Sequence, residues 1–481
     1  MMTQRRVAIV GAGAAGCFAA IETARRLPEA DIHVFERMKK PLAKVALTGG
    51  GRCNLTNSFA GVRSLEAVYP RGHRLMKRLL REFGHEDTMA WFEREGVELV
   101  TQTDECVFPA SQRADEIVQT LLAAMRRSGV KLHCEQGVKE ICPAEGGGYR
   151  LAFDNRPAEW FDTVVVTTGG SPRKAGLSFL QPLGLDLVEP VPSLFSVTVE
   201  DEGLRALSGT VVENASVRFT GTKMKAQGAL LITHLGLSGP AMLKLSAYAA
   251  RLLHERDYRA EISINWLGDM NEEEAGMLIN ELARQNGAKQ VGNVWPTVLN
   301  CRLWHFLLQS LHLSAEMRWN DFVKPNEQSK TCFSFAMARN RTFKNDFVKP
   351  NEQRSSLLEY AAMAKDRTFK NGQLPKTLRR MAAQLTNHVF QISGRNPYKE
   401  EFVTCGGVAL TELHPATLEC KRHPGLYFAG EVADVDAITG GFNLQAAWTM
   451  GYVAAKAIGE RNLLLSGKGL RKPITLETSA S

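Results

Sequence analysis

Short apolar runs in this chain alternate with helical patterns, and the first three such segments come in an informative order. Val7–Val10 is a β-branched run that is typical of a buried strand. Apolar residues at helical spacing follow from Ala14 to about Leu27, and the run DIHVFER then predicts a second strand that ends at Glu36. The order strand, helix, strand predicts the beginning of an α/β domain.

The patterns farther along predict helices first and a second, β-rich region afterwards. Amphipathic helical patterns cover Arg74–Phe83 and Ala114–Gly129, and Lys131–Ile141 has the pattern of a strand pair. Alternating runs between residues 193 and about 265 predict the strands of a second domain. Asn271–Gln285 has an N-cap residue and acids in its first turn, and it begins a helical region that reaches residue 313.

Three glycines stand where the first strand meets the first helix, in the sequence GAGAAG. Gly11 allows a tight turn, Gly13 lets backbone N–H groups approach a pyrophosphate, and Gly16 lets the helix pack closely on the strand. Glu36 stands 20 residues beyond Gly16, where a carboxylate can accept hydrogen bonds from both ribose hydroxyls. This context favours a dinucleotide site over a Gly/Ala-rich buried helix.

Two later segments favour a flavin over a nicotinamide. Asp162–Gly170 is predicted as a buried strand that ends in small residues, as expected where a strand meets a ligand crevice. Gly425–Gly451 predicts a strand, a turn at Gly430 and Glu431, and a helix that starts near Phe442. The N-terminus of that helix would stabilise the negative charge of a reduced flavin ring.

Length, hydropathy and cysteine content narrow the class of protein. At 481 residues the chain is too long for one simple core, so two or three domains are expected. No run of eighteen apolar residues occurs, which predicts no membrane span. The nine cysteines contain no C-x-x-C pair, which argues against a zinc site or a dithiol and suits a cytoplasmic protein. We expect no metal ion.

The positive charge of the chain is concentrated in one segment. Between Arg318 and Arg380 there are 14 Lys and Arg against 6 Asp and Glu, an excess equal to the net charge of +8 of the whole chain. The sequence NDFVKPNEQ occurs there twice, at Asn320–Gln328 and Asn345–Gln353, which indicates a tandem duplication. We interpret the segment as a solvated insert; a basic surface that binds nucleic acid is the alternative.

Five motifs together resemble one family of FAD-dependent oxidoreductases: GAGAAG, TGGGRCNLTN, THLGLSGPA, KEEFVTCGGV and GEVADVDAITGGFNLQAAW. The family includes bacterial aminoacetone oxidase and the BaiN-like bile-acid reductases. The resemblance implies an α/β fold in which a discontinuous Rossmann-like FAD domain is interrupted by a β-rich domain and a small helical domain. The boundaries expected here are 1–192 and 405–481 for the FAD domain, 193–265 and 382–404 for the β-rich domain, 266–317 for the helical domain, and 318–381 for the basic insert.

The resemblance implies that the TGGGRCN loop, Thr48–Asn54, passes next to FAD, with glycine backbone against the cofactor and Arg52 and Asn54 as donors. Combined with the motif glycines and Glu36, it predicts non-covalent FAD binding by a set of residues at both ends of the chain. These are Gly11, Gly13, Ala14, Ala15, Gly16, Glu36, Arg37, Lys44, Gly50, Gly51, Arg52, Cys53, Asn54, Val138, Thr168, Gly169, Gly170, Gly430, Glu431, Gly441, Phe442, Asn443 and Leu444.

Individual side chains in these motifs have two interpretations each. Cys53 is either a redox or covalent thiol at the flavin or a small buried residue, and the absence of a second cysteine nearby in sequence favours the latter. His234, Ser238 and Pro240 either contact flavin or substrate or form a turn between strand and helix. The sequence identifies no catalytic residue.

These features predict an enzyme that moves a hydride between flavin N5 and a small organic substrate. The sequence leaves two reactions open, amine oxidation and NAD(P)H-driven reduction of a double bond. Because no second G-x-G-x-x-G occurs in the sequence, any NAD(P)H would bind transiently, without a dinucleotide domain of its own. An RNA-associated flavoprotein and a non-catalytic flavin-binding protein are the alternatives. No membrane partner is expected, and nucleic acid is disfavoured except through the basic insert.

Overall fold

The computed structural model describes residues 4–171, 174–322, 375–396 and 403–465. The chain forms two compact units, Met1–Ser193 with Glu401–Ser481 and Leu194–Glu400. Both copies of NDFVKPNEQ, apart from the first three residues of the first copy, lie outside the described residues. The described edges of the predicted basic insert are helical, at Trp319–Phe322 and Lys376–Thr386.

The strands and helices alternate along the first part of the chain and again near its end. The described strands are β1 Arg6–Val10, β2 Asp31–Phe35, β3 Thr56–Asn57, β4 Leu99–Thr101, β5 Cys106–Pro109, β6 Lys131–His133, β7 Val138–Pro143, β8 Tyr149–Phe153, β9 Glu159–Phe161, β10 Thr163–Val166, β11 Leu187–Ser193, β12 Val197–Val199, β13 Val211–Phe219, β14 Lys225–Ile232, β15 Gly236–Ser238, β16 Ala260–Asn265, β17 His388–Arg395, β18 Val403–Val408 and β19 Leu426–Phe428. The described α-helices are α1 Ala14–Arg26, α2 Ala43–Gly51, α3 Leu65–Val68, α4 His73–Leu79, α5 His85–Arg94, α6 Ala114–Arg127, α7 Glu202–Arg205, α8 Gly239–Tyr248, α9 Ala250–Glu255, α10 Glu272–Gln285, α11 Cys301–Ser310, α12 Trp319–Phe322, α13 Lys376–Thr386 and α14 Phe442–Leu465. Short 3₁₀ helices occur at Lys174–Leu183, Val291–Asn293 and Leu410–Glu412.

A five-stranded parallel sheet organises the first unit, with strand order β19-β10-β1-β2-β6. Ile9 of β1 lies opposite Val34 of β2 and Val165 of β10. The central strands are buried and apolar, because helices and loops cover both faces of a parallel sheet. The sheet is therefore of the Rossmann type that the sequence predicts.

Helix α14, the last described element, packs against α1 beside this sheet. A Cβ on Gly451 of α14 would lie 2.8 Å from the carbonyl oxygen of Ala15 in α1, so only a glycine allows this close approach. The C-terminal part of the chain thus returns to the first helix of the sheet, and both helices are lined with small buried residues.

Smaller sheets complete the first unit: β3-β5-β4, β7-β8-β9 and β11-β18. The segment Lys131–Ile141, which the sequence pattern suggests to be a strand pair, contains two strands that do not pair with each other. β6 joins the parallel sheet beside β2, whereas β7 pairs with β8. The local pattern could not reveal this pairing, because β2, the partner of β6, lies about a hundred residues earlier in the chain.

The second unit contains a closed barrel with strand order β12-β15-β14-β13-β16-β17. Its buried side chains form one cluster with those of helices α8 and α10–α13. The predicted α/β class, a Rossmann-type sheet with a β-rich insert, is confirmed; the exact domain boundaries stay predictions. Within the described residues, no helix is long and apolar enough to cross a bilayer, and no cluster of side chains could hold a metal ion.

Candidate cofactor site

The carboxyl ends of four parallel strands gather most of the predicted cofactor positions. The segments that follow β1, β2, β10 and β19 are the GAGAAG turn, Glu36–Arg37, Thr168–Gly170 and Gly430–Glu431. Parallel strands all end at the same edge of a sheet, and open α/β sheets bind ligands at that edge. The structure therefore brings these four segments together although they span more than four hundred residues.

The turn between β1 and α1 is tightly packed at two glycines and open at the third. A Cβ on Gly11 would lie 2.7 Å from the Thr167 carbonyl oxygen, and one on Gly16 would lie 1.9 Å from the Gly11 carbonyl oxygen. A Cβ on Gly13 would meet no atom within 4 Å. No side chain caps α1 and its first turn carries no acid, so its N–H groups face this open space and suit an anionic group.

Glu36, directly after β2, reaches back to the same turn. Its Oε2 accepts a hydrogen bond from the backbone N–H of Ala12 at 2.9 Å, and its Oε1 accepts one from Met38 at 2.9 Å. A carboxylate has about four acceptor positions, so both oxygens keep capacity for ribose hydroxyls. The two backbone bonds fix the carboxylate beside the glycine turn.

Arg37, a predicted cofactor residue, lies close to Gly137, the neighbour of the predicted residue Val138. A Cβ on Gly137, the neighbour of Val138, would lie 3.3 Å from the Cβ of Arg37, and both Arg37 and Gly137 line a cavity of about 320 Å³. Backbone bonds hold the two segments, since the Gln136 N–H donates to the Glu36 carbonyl oxygen at 2.8 Å. This cavity adjoins the predicted ribose-binding carboxylate.

Glu431 connects three of the other predicted segments. Its Oε1 accepts a hydrogen bond from the backbone N–H of Thr404 at 2.6 Å, and its Oε2 lies 3.8 Å from Nζ of Lys44. A Cβ on Gly170 would lie 2.3 Å from Oε1 of Glu431, so the glycine at this position is what gives the carboxylate room. Glu431 thus stands between the end of β10 and the exposed Lys44.

The TGGGRCN segment, expected as a loop, has non-helical backbone angles at Thr48, Gly49 and Gly50, although the bounds of helix α2 extend across this break to Gly51. Gly49, Gly50 and Gly51 have φ values of 58°, 68° and 85°, in the left-handed region that favours glycine. Cβ atoms on Gly50 and Gly51 would meet nothing within 4 Å. Arg52 is exposed and stacks over Phe108 at 4.5 Å. The second and third glycines therefore present bare backbone to open space.

This segment meets the TGGFN turn that precedes α14. The Asn54 amide can donate to the Thr56 carbonyl oxygen at 2.9 Å and accept from the Gly441 N–H at 3.2 Å. Nearby, Asn57 Nδ2 donates to the Gly440 carbonyl oxygen at 3.1 Å. The two glycine-rich motifs, almost four hundred residues apart, form one bonded structure at the start of α14.

The side chains at the start of α14 are already engaged within the protein. Phe442 is buried, and Asn443 Oδ1 accepts from the Ala437 N–H at 2.9 Å while its Nδ2 donates to the Ala437 carbonyl oxygen at 2.9 Å. The first turn carries no acid. Any contact of Phe442, Asn443 and Leu444 with a cofactor is therefore expected through the backbone N–H groups.

The family model described as HI0933-like protein Rossmann domain matches residues 5–457. The chain belongs to this family. It is 25% identical over 473 residues to the 3-dehydro-bile acid delta(4,6)-reductase of Clostridium scindens, with 95% of this chain and 99% of the relative covered. It is also 25% identical to the ribosomal RNA dihydrouridine synthases of Escherichia coli, over 460 residues with 93% and 96% covered, and of Haemophilus influenzae, over 464 residues with 94% and 98% covered.

As a member of the HI0933-like family, the protein is an FAD-dependent oxidoreductase. The residues present fit FAD, because the uncapped N-terminus of α1 opens onto empty space at Gly13 and the Glu36 carboxylate is fixed beside it. The individual contact positions remain predictions. The predicted site residues do not include Thr56, Asn57 and Gln445, which join β3 to α14. Their signal in the sequence is that Thr56 and Asn57 lie in the motif TGGGRCNLTN and Gln445 in the motif GEVADVDAITGGFNLQAAW.

Cys53 in this family member is expected to be chemically inert. Its side chain is fully buried, and burial raises the pKa of the thiol to about 12. At neutral pH the thiol is therefore protonated and shielded, and only the thiolate reacts. Iodoacetamide labelling followed by mass spectrometry should leave Cys53 unmodified in the folded protein and modify it after unfolding; labelling of the folded protein at Cys53 would contradict this prediction.

Replacing Glu36 by alanine is expected to weaken FAD binding without abolishing it. The change removes the predicted acceptor for the ribose hydroxyls and the two backbone bonds that hold it, and a hydrogen bond to a charged group contributes about 1.5–3 kcal/mol. Titration of the flavin-depleted protein with FAD measures the loss. Glu29→Ala, which changes an exposed acid shortly before β2, is the matched control and should bind normally. Equal affinities of the two variants would remove Glu36 from the site.

Proposed function

We propose that the protein is an FAD-dependent reductase that saturates a carbon–carbon double bond conjugated to a carbonyl group. The observation that carries this proposal is the common chemistry in the names of the relatives. One name describes reduction of the Δ4,6 bonds of a 3-dehydro bile acid, and the other describes conversion of uracil to its 5,6-dihydro form. In both cases a ring carbon–carbon double bond conjugated with a carbonyl receives two hydrogens.

Bound FAD would supply a hydride for the β-carbon of the substrate, and a proton from solvent or a side chain would complete the α-carbon. The chain's own residues position the cofactor and stabilise its reduced form. The α1 N-terminus at Gly13 and the carboxylates of Glu36 and Glu431 would hold the cofactor, and the α14 N-terminus at Gly441 would favour the negatively charged reduced ring.

NAD(P)H is the proposed electron donor, bound transiently because the sequence has no second dinucleotide fingerprint. Anaerobic titration of the yellow protein with NADPH or NADH tests this, and bleaching of the flavin absorbance is the expected result. The bleached protein should be reoxidised by a 3-oxo-Δ4 steroid or by uracil-containing RNA. Bleaching by a small amine, with no response to NADPH or NADH, would replace the reductase with an amine oxidase.

RNA is the second candidate substrate, and a surface feature favours it besides the two ribosomal RNA relatives. Four exposed basic residues lie at spacings of three and four on one face of α4 and the turn after it, namely Arg74, Lys77, Arg78 and Arg81. Within the described part of the chain none of the four lies within salt-bridge distance of an acid, although the charge of Arg78 helps to lower the pKa of the neighbouring Glu82. A helical stripe of this kind suits a phosphate backbone, which binds with steep salt dependence.

Binding of a uracil-rich RNA strand at several salt concentrations separates the two substrates. If RNA binds through the stripe, the double variant Lys77→Gln/Arg78→Gln should reduce both the affinity and its salt dependence, by about 0.7 in log–log slope for each phosphate that is no longer neutralised. The flavin reduction by NADPH should be unchanged. Absence of RNA binding to the unaltered protein would leave a small enone as the substrate.

A further inference from the structure

A buried ion pair lies behind the turn that begins α14. The proposed chemistry does not use it, although Asp436 belongs to the motif GEVADVDAITGGFNLQAAW. Asp436 is 1% exposed and Ser193 is fully buried. The Arg71 guanidinium binds the Asp436 carboxylate through two nitrogens, with Nε donating to Oδ1 at 2.5 Å and Nη2 donating to Oδ2. Ser193 Oγ donates to the same Oδ2 at 3.1 Å and lies 3.3 Å from Nη2 of Arg71.

This cluster of three residues joins three separate parts of the first unit. Arg71 lies just before α4, Ser193 is the last residue of β11, and Asp436 lies in the loop between β19 and α14. The backbones of Arg71 and Asp436 also form an antiparallel bridge. Burial raises the pKa of Asp436 above that of an exposed aspartate, and the charge and hydrogen bonds of Arg71 oppose that rise.

Further contacts extend this attachment to the start of α14. The Ile438 N–H donates to the Val68 carbonyl oxygen at 2.9 Å, and Tyr69 Oη donates to the carbonyl oxygen of Phe442, the first residue of α14, at 3.0 Å. The segment from Val68 to Arg71 thus holds the loop from Asp436 to Phe442 at both ends. That loop contains Gly440, whose carbonyl oxygen accepts from Asn57 Nδ2, and Gly441, whose N–H can donate to the Asn54 amide.

We propose that Arg71 is a positioning residue for the flavin: with Asp436 and Ser193 it fixes the loop that places the N–H groups at the start of α14. The proposal rests on the proposed cofactor site at that helix. Preorganised donors stabilise charge more than mobile ones, because no reorganisation is needed when the charge develops. Loosening the loop should therefore weaken binding of reduced FAD more than binding of oxidised FAD.

Two single variants separate positioning from simple charge. Arg71→Met removes a positive charge and Asp436→Asn removes a negative one, so a purely electrostatic effect would shift the flavin midpoint potential in opposite directions. Loss of positioning lowers it in both. We expect the ratio of reduced to oxidised FAD affinity to fall about tenfold in each variant, which corresponds to about 30 mV for a two-electron couple.

A double variant covers the case in which either single variant fails to fold, since a buried charge without its partner is strongly destabilising. Arg71→Met/Asp436→Leu replaces the pair by apolar side chains and is electrically neutral, so it should fold and still show the lowered potential. Arg63→Met is the control: it removes the charge of an exposed arginine in the preceding loop and should leave the potential unchanged.

Amide hydrogen exchange gives a second readout that does not depend on flavin. In the protein as purified, the amides from residue 436 to 442 should exchange faster in Arg71→Met and in the double variant than in Arg63→Met, with Ile438 as the most direct reporter. Three results would each overturn the positioning role. They are shifts of the midpoint potential in opposite directions in the two single variants, an unchanged potential in the double variant, and unchanged amide exchange over residues 436 to 442. An unaltered protein with no affinity for FAD would refute the cofactor site instead, and exchange would still decide the role of Arg71.

Discussion

Gly13→Val is expected to abolish retention of FAD while leaving the fold intact. The added Cβ meets no protein atom within 4 Å, and the backbone at Gly13 has a φ of −88°, which any residue can adopt. The valine side chain would instead occupy the open space at the N-terminus of α1, where the pyrophosphate is predicted to approach the backbone. The substitution should therefore prevent FAD binding without destabilising the protein.

Flavin absorbance after gel filtration measures retention, and thermal unfolding with added FAD measures binding independently. At a free FAD concentration of about one hundred times Kd, a binding protein gains roughly 2.7 kcal/mol of stability, and the variant should gain none. Gly61→Val, at another glycine with open space around it, is the matched control and should keep its flavin. Full flavin occupancy of Gly13→Val would show that the first dinucleotide site is assigned wrongly.

The first dinucleotide unit could be predicted well because its signals are local. The sequence places a strand before GAGAAG, a helix after it and a second strand up to Glu36, and the structure has β1, α1 and β2 within a residue or two of those positions. Each signal depends on residues within one turn or one strand: β-branched runs, glycines that must admit a neighbouring backbone, and an acid at a fixed distance.

Contacts between distant segments could not be predicted from the same patterns. The sequence marks TGGGRCN and TGGFN separately, but nothing local indicates that Asn54 bonds to Gly441 or that Thr56 Oγ1 donates to Gln445 Oε1 at 2.5 Å. The pairing of β6 and β7 could not be predicted for the same reason. The pattern of a strand indicates which of its faces is buried, but it does not indicate which other strand it pairs with. Pairing is decided by the whole sheet.

Arg71 shows that the pattern of charges in the sequence does not distinguish a buried arginine from exposed ones. In the sequence it precedes an amphipathic helix rich in exposed basic residues, and nothing distinguishes it from Arg74 or Lys77. Its partner Asp436 lies 365 positions away. Only the fold reveals that one arginine is turned inward onto a buried carboxylate while its neighbours face solvent.

Gly441→Val is expected to lower the midpoint potential of the bound flavin. Gly441 has a φ of 89°, a conformation in which a β-branched residue is strained, and its added Cβ would lie 2.3 Å from the Thr56 carbonyl oxygen. The turn must therefore move away from β3. The same movement strains the bond from Asn57 Nδ2 to the Gly440 carbonyl oxygen, which joins the two glycine motifs, and displaces the Gly441 N–H from the Asn54 amide that can accept from it.

The sign of the change follows from where charge appears on reduction. The reduced ring is more negative than the oxidised ring, so it loses more when backbone donors at the start of α14 are displaced. About 1.4 kcal/mol corresponds to about 30 mV for a two-electron couple, so losing one helix-terminus interaction should shift the potential by tens of millivolts at most. Spectroscopic titration against a redox dye of known potential measures the shift.

Gly96→Val is the control that separates a redox effect from backbone strain. Gly96 has a similar φ of 91°, but its added Cβ meets nothing within 4 Å and it lies in a turn after α5. It should lose stability through the same strained conformation while its flavin potential stays unchanged. If Gly441→Val binds FAD with an unchanged or raised potential, the N-terminus of α14 does not face the flavin ring, and Glu431 and the α1 turn would then have to define a different orientation of the cofactor.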